Sequence, residues 1–278
     1  YGVLIMAGVA LGAYFATRLA RKRGLDPDHI WGALILAVVM AILGARLYHV
    51  FSTPADCPPN AAFACGWPYY RHHFVDAFAI WKTGGFQGLG IYGAIVGGIL
   101  GVTIYAWWNK LKPLVWLDMG AVGLAFGQFV GRWGNFINQE LYGPPTGSDW
   151  YGLRINTDLP HQAPPDGRYD LLYHPTFLYE SLWCLLVFLI LYNVHARLPD
   201  KLRDGDVLLG YIVLYPLGRF FIEFFRPDAW TMGRLATAQW IAVGCVVGGL
   251  ITLVLRHIFW DRSGEKGQQT GTSEVAAE

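Results

Sequence analysis

Long runs of apolar residues, separated by short polar loops, dominate the chain. A membrane-spanning helix needs roughly 20 mostly apolar residues. Seven runs approach or exceed that length, and they occupy residues 1–17, 30–51, 88–108, 114–138, 176–194, 207–225 and 238–255. The pattern predicts an all-α polytopic membrane protein with seven transmembrane helices.

The loops between these runs are unequal and suggest how the chain is organised. Residues 1–139 would form helices one to four with an outer arm at about 52–85, and residues 176–258 would form helices five to seven. Residues 140–175 are rich in Pro, Gly, Asp and Tyr, which predicts a small irregular or β-containing extracytoplasmic head. The polar residues 259–278 predict a disordered cytoplasmic tail.

Basic residues are divided unequally between the two sets of loops. The loops after spans one, three, five and seven carry twice as many lysines and arginines as the opposite loops. The positive-inside rule therefore predicts an N-terminus and a head outside the cell, with the C-terminus in the cytoplasm. Cys57 and Cys65 share one outer loop, where they could form a disulfide or remain free thiols.

Composition supports the membrane assignment and excludes other classes. Hydrophobic residues make up 54% of the 278 positions and charged residues only 15%, which is too few for a soluble domain of this length. The formal net charge of +1 gives no sign of nucleic-acid binding. No Cys/His spacing typical of a metal site occurs, so we expect neither a metal nor another cofactor.

The most informative polar segment is 131–143, Gly-Arg-Trp-Gly-Asn-Phe-Ile-Asn-Gln-Glu-Leu-Tyr-Gly. It places Arg132, Asn135, Asn138 and Glu140 where the fourth span leaves the membrane. Polar groups at that depth are expensive to bury and usually mark a functional site. The segment predicts a binding or catalytic site at the outer face.

A second group of charges lies in the sixth span. Arg219 and Glu223 are four residues apart, so they share a helix face and can pair. Arg132 has no carboxylate at helical spacing before it, and it needs Glu180, Glu223 or an anionic ligand as its partner. Because a guanidinium fork matches phosphate oxygens, two arginines at one depth suit a phosphodiester.

Other features have competing interpretations. Arg46 could snorkel to the interface or act in the site, and Arg226 could anchor lipid headgroups. Residues 88–93 match GxGxxG, but no strand precedes them, so we reject a dinucleotide site. Gly93, Gly97 and Gly101 instead predict a close helix–helix contact.

The segment 131–143 closely resembles the signature of prolipoprotein diacylglyceryl transferases. His-Pro-Thr-Phe-Leu-Tyr-Glu at 174–180 and Gly-Arg-Phe-Phe-Ile-Glu-Phe-Phe-Arg at 218–226 resemble two further blocks of that family, and Gly44-Ala-Arg46 and Tyr1-Gly2 also fit. Members of the family move the diacylglyceryl group of phosphatidylglycerol onto the lipobox cysteine of a secreted prolipoprotein and release glycerol phosphate. The resemblance implies a multi-pass transferase of the bacterial plasma membrane whose partners are these two substrates and membrane lipid; we also expect a monomer.

The resemblance also implies site residues. Asn135 and Glu140 would orient the headgroup and an arginine, Gly143 would shape the turn, and Glu223 would hold Arg219. The expected catalytic residues are Arg132, Arg219, Glu140 and Tyr92. The expected substrate-binding residues are Arg132, Asn135, Asn138, Gly143, Tyr1, Arg46, Glu180, Tyr215, Glu223 and Arg226.

One position departs from the family pattern. Many members carry, at the start of span three, a histidine followed by two glycines, and that histidine has been proposed as the base. Here the aligned residue is Tyr92, and a phenol is a poor base at neutral pH. We therefore expect the arginines to activate the acceptor thiol while Tyr92 positions lipid, with His49 as another possible proton acceptor.

Three alternatives remain at this point. An anionic-lipid transporter or flippase would need polar residues in the cytoplasmic halves of several spans, whereas here they stop in the outer halves apart from Asp118. Another headgroup enzyme, such as a phosphatase, would need a nucleophilic histidine or metal-binding carboxylates. A catalytically impaired family member is the alternative that Tyr92 raises.

Overall fold

The computed structural model describes residues 2–52, 66–78, 90–156, 164, 167–226 and 231–274. Among these residues, seven helices are long and apolar enough to cross a membrane, which confirms the predicted all-α architecture. In chain order the helices are α1 (Gly2–Lys22), α2 (Asp28–Phe51), the short α3 (Gly66–Tyr70) and α4 (Phe74–Phe78), α5 (Ile91–Trp108), α6 (Pro113–Asn138), α7 (Thr176–Arg197), α8 (Asp206–Ile222) and α9 (Thr237–Glu274).

The strands are short and lie outside the spans. Between α6 and α7, β1 (Leu153–Arg154) pairs antiparallel with β2 (Leu172–Tyr173), and Leu153 lies opposite Tyr173. Before α9, β3 (Thr231–Met232) pairs antiparallel with β4 (Leu235–Ala236). We call residues 140–175 the head, and the end of the bundle that carries it the head end.

The last helix is longer than hydropathy predicts. Its backbone continues to Glu274, whereas the apolar run ends near residue 255. The part of it apolar enough to span a membrane ends at Ile258. The disorder expected of residues 259–278 was inferred from composition alone, and it stays a prediction for the protein in its membrane.

The chain divides into two compact units, a larger one of Tyr1–Arg23 with Asp118–Glu278 and a smaller one of Gly24–Leu117. In the larger unit, α1 and α6 approach through glycines. A Cβ at Gly8 would lie 2.9 Å from the carbonyl oxygen of Gly127, and one at Gly12 would meet Gly123. These contacts bring the two backbones together as small residues do between membrane helices.

Away from the head end, the larger unit has a buried apolar layer. It is contributed by α1, α6, α7 and the start of α8, with Phe15 and Phe126 packed against it. Its buried members are Leu19, Val122, Ala125, Val187, Phe188, Leu191 and Val207. We call this set the apolar layer, and it separates the polar groups of the two ends of the unit.

Beyond the apolar layer, the carboxylates of Asp118 and Asp206 have hydrogen-bond partners. The Asp118 carboxylate accepts hydrogen bonds from the backbone N–H groups of Gly205, at 2.7 Å, and Leu208, at 2.8 Å. Asp118 therefore caps the start of α8. Asp206 lies 2.9 Å from Nε2 of His257. These contacts give the acidic groups at this end a structural role.

In the smaller unit, α2 and α5 pack through the glycine series of α5. An added Cβ at Gly93, Gly97 or Gly101 would meet the backbone of α2. The close helix contact predicted from the four-residue spacing is therefore confirmed. Arg46, near the C-terminal end of α2, donates a hydrogen bond of 2.6 Å to the carbonyl oxygen of Asp76 in the arm.

Adjacent glycines in α5 provide a matched test of this packing. We expect Gly97→Ala to lower the free energy of unfolding by about 1–3 kcal/mol, because its methyl group has no room against the α2 backbone. Gly98→Ala should be neutral or stabilising, since the nearest atom would be 3.9 Å away. Unfolding midpoints in detergent would measure both; equal midpoints would contradict the packing.

Candidate active site

The centre of the candidate site is one carboxylate shared by two arginines. Glu180, on the second turn of α7, forms an ion pair through Oε1 with Nη2 of Arg132 from α6. Its other oxygen, Oε2, lies 3.3 Å from Nη1 of Arg219 on α8. Three consecutive helices, α6, α7 and α8, therefore meet at a single acidic side chain.

A second carboxylate holds Arg219 from its own helix. Nη2 of Arg219 lies 2.7 Å from Oε2 of Glu223, as the four-residue spacing predicts. Of the two carboxylates considered as partners of Arg132, the one that pairs with it in the structure is that of Glu180. The pairing predictions are confirmed, whereas the roles of these residues towards substrate stay predictions.

Most of this cluster is removed from solvent. The carboxylate side chains of Glu180 and Glu223 are 6% and 5% exposed, and the side chains of Arg132 and Arg219 are 23% and 17% exposed. Buried charges are tolerated only when paired, and removing one partner of a buried pair is strongly destabilising. The arginines nevertheless retain some accessible surface, which a ligand could contact.

Arg226 adds a third guanidinium close to this cluster. Among the described residues, its side chain has no hydrogen-bond or ion-pair partner. Burial, followed by repulsion from Arg219, lowers the pKa of the Arg226 guanidinium. An arginine still keeps its proton at neutral pH. Three guanidinium groups and the two carboxylates of Glu180 and Glu223 thus leave an excess of one positive charge.

The turn after α6 presents the remaining signature residues. Glu140 accepts hydrogen bonds from Nδ2 of Asn135, at 2.7 Å, and from Nδ2 of Asn138, at 3.3 Å. Gln139 and Leu141 have positive φ angles of 51° and 57°, so the chain turns sharply on each side of Glu140. Within the described part of the chain, Glu140 therefore contacts the two asparagines and no arginine, contrary to the expectation that it orients one.

Gly143 lies where this turn meets the residues just before α7 and just after α8. Its N–H donates to the carbonyl oxygen of His174 at 2.9 Å, and the N–H of His174 donates to Pro144 at 3.0 Å. A Cβ on Gly143 would lie 2.8 Å from both Cβ of His174 and the carbonyl oxygen of Phe225. The residue is small because α7 and the end of α8 both approach it.

Side chains of the head continue from this junction. His174 Nδ1 lies 2.9 Å from the hydroxyl oxygen of Tyr179, which forms a further hydrogen bond with the hydroxyl of Tyr151. The Phe225 ring packs on His174 with centroids 5.0 Å apart. His174 thus joins the head to α7, and nothing in the sequence linked Tyr151 to Tyr179.

Tyr215 occupies the helical turn before Arg219. Its hydroxyl donates to Oε1 of Glu180 at 3.3 Å, so the structure brings Tyr215 into the cluster as expected. The hydroxyl of Tyr211, one turn earlier on α8, donates to Oε1 of Gln128 at 2.9 Å. Sequence reasoning missed Tyr211 and Gln128, although the four-residue spacing of Tyr211, Tyr215, Arg219 and Glu223 could have revealed the first.

Other expected site residues lie in the smaller unit or outside the described residues. Arg46 lies over the ring of Tyr70, with its guanidinium carbon 5.2 Å from the centroid. Tyr92 is 45% exposed, and its ring contacts that of Tyr48. Their roles towards substrate stay predictions. Tyr1, Cys57 and Cys65 lie outside the described residues, so neither the role of Tyr1 nor the disulfide is addressed.

The arrangement can bind and stabilise negative charge. Guanidinium donors fixed in a poorly hydrated site stabilise developing charge better than mobile donors in water, because they need no reorganisation during the reaction. Within the described ranges, no group of three or more His, Cys, Asp or Glu side chains could hold a metal ion. The N–H donors of Arg132 and Arg219 are therefore the groups of this site that can stabilise negative charge.

Comparisons with known proteins agree with this chemistry. Residues 1–255 match the family model described as prolipoprotein diacylglyceryl transferase. The chain is 39% identical to the phosphatidylglycerol–prolipoprotein diacylglyceryl transferase of Thermosynechococcus vestitus, over 90% of this chain and 85% of that protein. It is 38% identical to the enzyme of that name from Symbiobacterium thermophilum, over 98% of this chain and 92% of that protein. It is 34% identical to the enzyme of that name from Streptococcus agalactiae, over 92% of this chain and 91% of that protein. The chain belongs to the prolipoprotein diacylglyceryl transferase family.

Proposed function

We propose that this chain is a phosphatidylglycerol–prolipoprotein diacylglyceryl transferase, and that Arg132 and Arg219 form its phosphate site. The observation that carries the proposal is the carboxylate of Glu180, which holds both guanidinium groups side by side. Their remaining N–H donors can engage the oxygens of one phosphodiester. Arg226 supplies the excess positive charge that an anionic headgroup neutralises.

The reaction needs no nucleophile from the enzyme. The thiolate sulfur of the acceptor cysteine attacks the diacylglyceryl carbon that carries the phosphate ester. A carbon–sulfur bond forms, the carbon–oxygen bond breaks, and glycerol phosphate leaves with the electron pair. The positive field of the arginines lowers the pKa of the thiol, whose proton passes to water. The same arginines stabilise the charge that develops on the leaving phosphate.

Both substrates are anchored in a membrane, which determines where the site must lie. We propose that the head end faces the outside of the bacterial plasma membrane and that the protein acts as a monomer. The distribution of basic loop residues supports this orientation. So does the position of Glu180 and Arg132 within one or two turns of the head. A secreted precursor would then reach the site from the outer leaflet.

The transporter alternative is not favoured by the larger unit. Polar contacts extend one turn deeper than the sequence suggested, as far as Gln128 and Tyr211. Beyond them comes the apolar layer, which includes the fully buried Val122 and Ala125. A path for a charged headgroup needs continuous polar or hydrated surroundings, and a packed apolar layer interrupts that continuity.

A transfer assay tests the proposed function. The purified protein, phosphatidylglycerol and a lipobox peptide should yield a diacylglyceryl-modified peptide and an equal amount of glycerol phosphate, measured by mass spectrometry and a coupled phosphate assay. We expect Arg132→Ala and Arg219→Ala to lower kcat/KM by about 10²–10³-fold. Arginine-to-lysine variants should not restore it, because an ammonium cannot form the bidentate contact.

The exposed Arg168 of the head provides the matched control. It pairs with Asp170 at the surface, where both side chains are more than half exposed. Arg168→Ala removes a positive charge from the head and should leave kcat/KM unchanged. A wild-type protein that gives neither modified peptide nor glycerol phosphate would refute the proposed function.

Tyr92 stands where many members of the family carry a histidine. If it positions lipid and does not accept the proton, Tyr92→Phe should retain turnover and raise KM for phosphatidylglycerol by no more than about threefold, the loss expected from one modest hydrogen bond. Steady-state kinetics with the lipobox peptide at saturation measure this. Loss of turnover with lipid binding intact would show instead that the phenol takes part in proton transfer.

A further inference from the structure

One face of α8 carries a polar series that continues past the arginine cluster. Tyr211, Tyr215, Arg219 and Glu223 are spaced four residues apart, so their side chains lie on the same face of the helix. The rings of Tyr211 and Tyr215 are stacked with an interplanar angle of 3° and centroids 5.4 Å apart. The series thus extends from Glu223 at the head end to Tyr211 two turns below Arg219.

Hydrogen bonds connect the two tyrosines of this series to α6 and α7. The hydroxyl of Tyr211 donates to Oε1 of Gln128 at 2.9 Å, and the hydroxyl of Tyr215 donates to Oε1 of Glu180 at 3.3 Å. Gln128 lies one helical turn before Arg132 on α6. We call Gln128, Tyr211 and Tyr215 the tyrosine ladder. Through its contacts, a glutamine of α6 is connected to the carboxylate that holds both arginines.

The tyrosine ladder places polar side chains within two membrane spans, next to the apolar layer. Polar side chains within spans are expensive and usually serve a function. The next turns of α6 towards the opposite end contribute Ala125 and Val122 to the apolar layer. In the described parts of α6 and α8, the ladder's hydrogen bonds lead to Glu180, whereas Tyr211 packs against the apolar layer on the other side.

We propose that Gln128 and Tyr211 are positioning residues for the arginine site. Gln128 fixes the hydroxyl of Tyr211, and the stacked ring of Tyr211 fixes the ring of Tyr215. Tyr215 then holds Oε1 of Glu180, the same oxygen that pairs with Arg132, and leaves Oε2 directed to Arg219. The proposal rests on the proposed function, since its consequence is the alignment of two guanidinium groups with a phosphate.

The size of the effect follows from the geometry. A carboxylate without the tyrosine donor can rotate about its last bond, and the guanidinium groups follow it. Misplacement of catalytic donors by about 1 Å can cost up to 10²-fold in rate. Because the phosphate remains attracted by the same charges, the loss should appear in kcat more than in KM.

The first experiment removes the stacked ring. We expect Tyr211→Leu to lower kcat by about tenfold while changing KM for phosphatidylglycerol by less than about twofold. The loss of kcat is partial because the guanidinium groups are only partly misaligned. Tyr211→Phe keeps the ring and loses only the hydroxyl, so it should recover most of kcat. Gln128→Leu should resemble Tyr211→Phe. Steady-state transfer to a lipobox peptide in nanodiscs of defined phosphatidylglycerol content measures all three.

A double-mutant cycle separates positioning from general packing. Where Tyr215→Phe has already removed the donor to Glu180, Tyr211→Leu should lower kcat by less than about twofold more, because coupled residues are not additive. Phe188→Leu is the matched control. It removes a buried ring of the apolar layer, and its effect on kcat should be the same in the wild-type and Tyr215→Phe backgrounds.

Each outcome decides the proposal. Additive effects of Tyr211→Leu and Tyr215→Phe on kcat would overturn it, as would an unchanged kcat in Tyr211→Leu. If Tyr211→Leu does not fold, the cycle is run with Gln128→Leu and Tyr211→Phe, where additivity with Tyr215→Phe overturns it equally. A wild-type protein without transfer refutes the proposed function, whereas active wild type with an additive cycle refutes only the ladder.

Discussion

Replacement of Glu180 by glutamine should abolish transfer almost completely, by about 10²–10³-fold in kcat/KM. The amide keeps the shape of the side chain but removes the charge that holds Arg132 from α6 and Arg219 from α8. Arg219 retains Glu223, whereas the described residues offer Arg132 no second carboxylate. The two guanidinium groups then repel each other without their common partner. Transfer kinetics with phosphatidylglycerol and a lipobox peptide measure the loss.

The same substitution should also destabilise the protein. Breaking a buried ion pair typically costs about 3–5 kcal/mol, since the remaining charge stays buried without compensation. Thermal unfolding in detergent would report this, and activity must therefore be compared among variants that elute as folded protein. Glu180→Asp, which keeps the charge on a shorter side chain, should recover part of both properties.

An exposed carboxylate of the head supplies the control for Glu180. Hydrogen bonding to Arg168 holds the pKa of Asp170 below its usual range, and the Asp170 side chain is 68% exposed. Surface ion pairs contribute little to stability. Asp170→Asn should therefore leave transfer and unfolding unchanged. A Glu180→Gln variant with near wild-type turnover would remove the basis for the shared-carboxylate site.

The membrane architecture was predictable because hydrophobicity alone determines it. Each apolar run corresponds to one of the seven long helices, and most helix ends lie within a few residues of the predicted boundaries. The packing of α5 on α2 was likewise visible in the spacing of Gly93, Gly97 and Gly101. Both properties depend on residues close in sequence, where periodicity is informative.

The pairing of Arg219 with Glu223 was also predictable, for the same local reason. The pairing of Arg132 could not be predicted uniquely. Its partner lies on another helix, and the spacing of residues in the sequence does not show which helices are neighbours. The sequence left Glu180, Glu223 and an anion as alternatives, and the packing of α6, α7 and α8 selects Glu180. The sharing of Glu180 with Arg219 is a tertiary feature with no local signature.

The tyrosine ladder was missed for a different reason. Tyrosine is common near membrane interfaces, so two tyrosines in one span do not by themselves predict a functional pair. Their four-residue spacing with Arg219 becomes meaningful only when Gln128 is seen to close the series. Glu140 was assigned to an arginine on resemblance, whereas the sharp turn after α6 directs it to Asn135 and Asn138.

Among substitutions outside the charged cluster, Gly143→Ala should have the largest effect on transfer. The new methyl group would lie 2.8 Å from the carbonyl oxygen of Phe225 and 2.8 Å from Cβ of His174, and neither backbone can yield without moving its helix. Overpacking of this kind costs about 1–3 kcal/mol of stability. Phe225 immediately follows the segment that carries Arg219 and Glu223, so displacement of that segment should lower kcat/KM by up to about 10²-fold.

The same signature contains its own control at the other end. Gly131 lies within α6, and an added Cβ there would have no atom within 4 Å. Gly131→Ala should therefore keep transfer and stabilise the helix by up to about 1 kcal/mol, since alanine is the better helix former. Two glycines of one segment would thus respond in opposite ways. Equal losses in both variants would mean that the segment tolerates no added methyl group anywhere, and the specific contact of Gly143 with Phe225 and His174 would not explain its role.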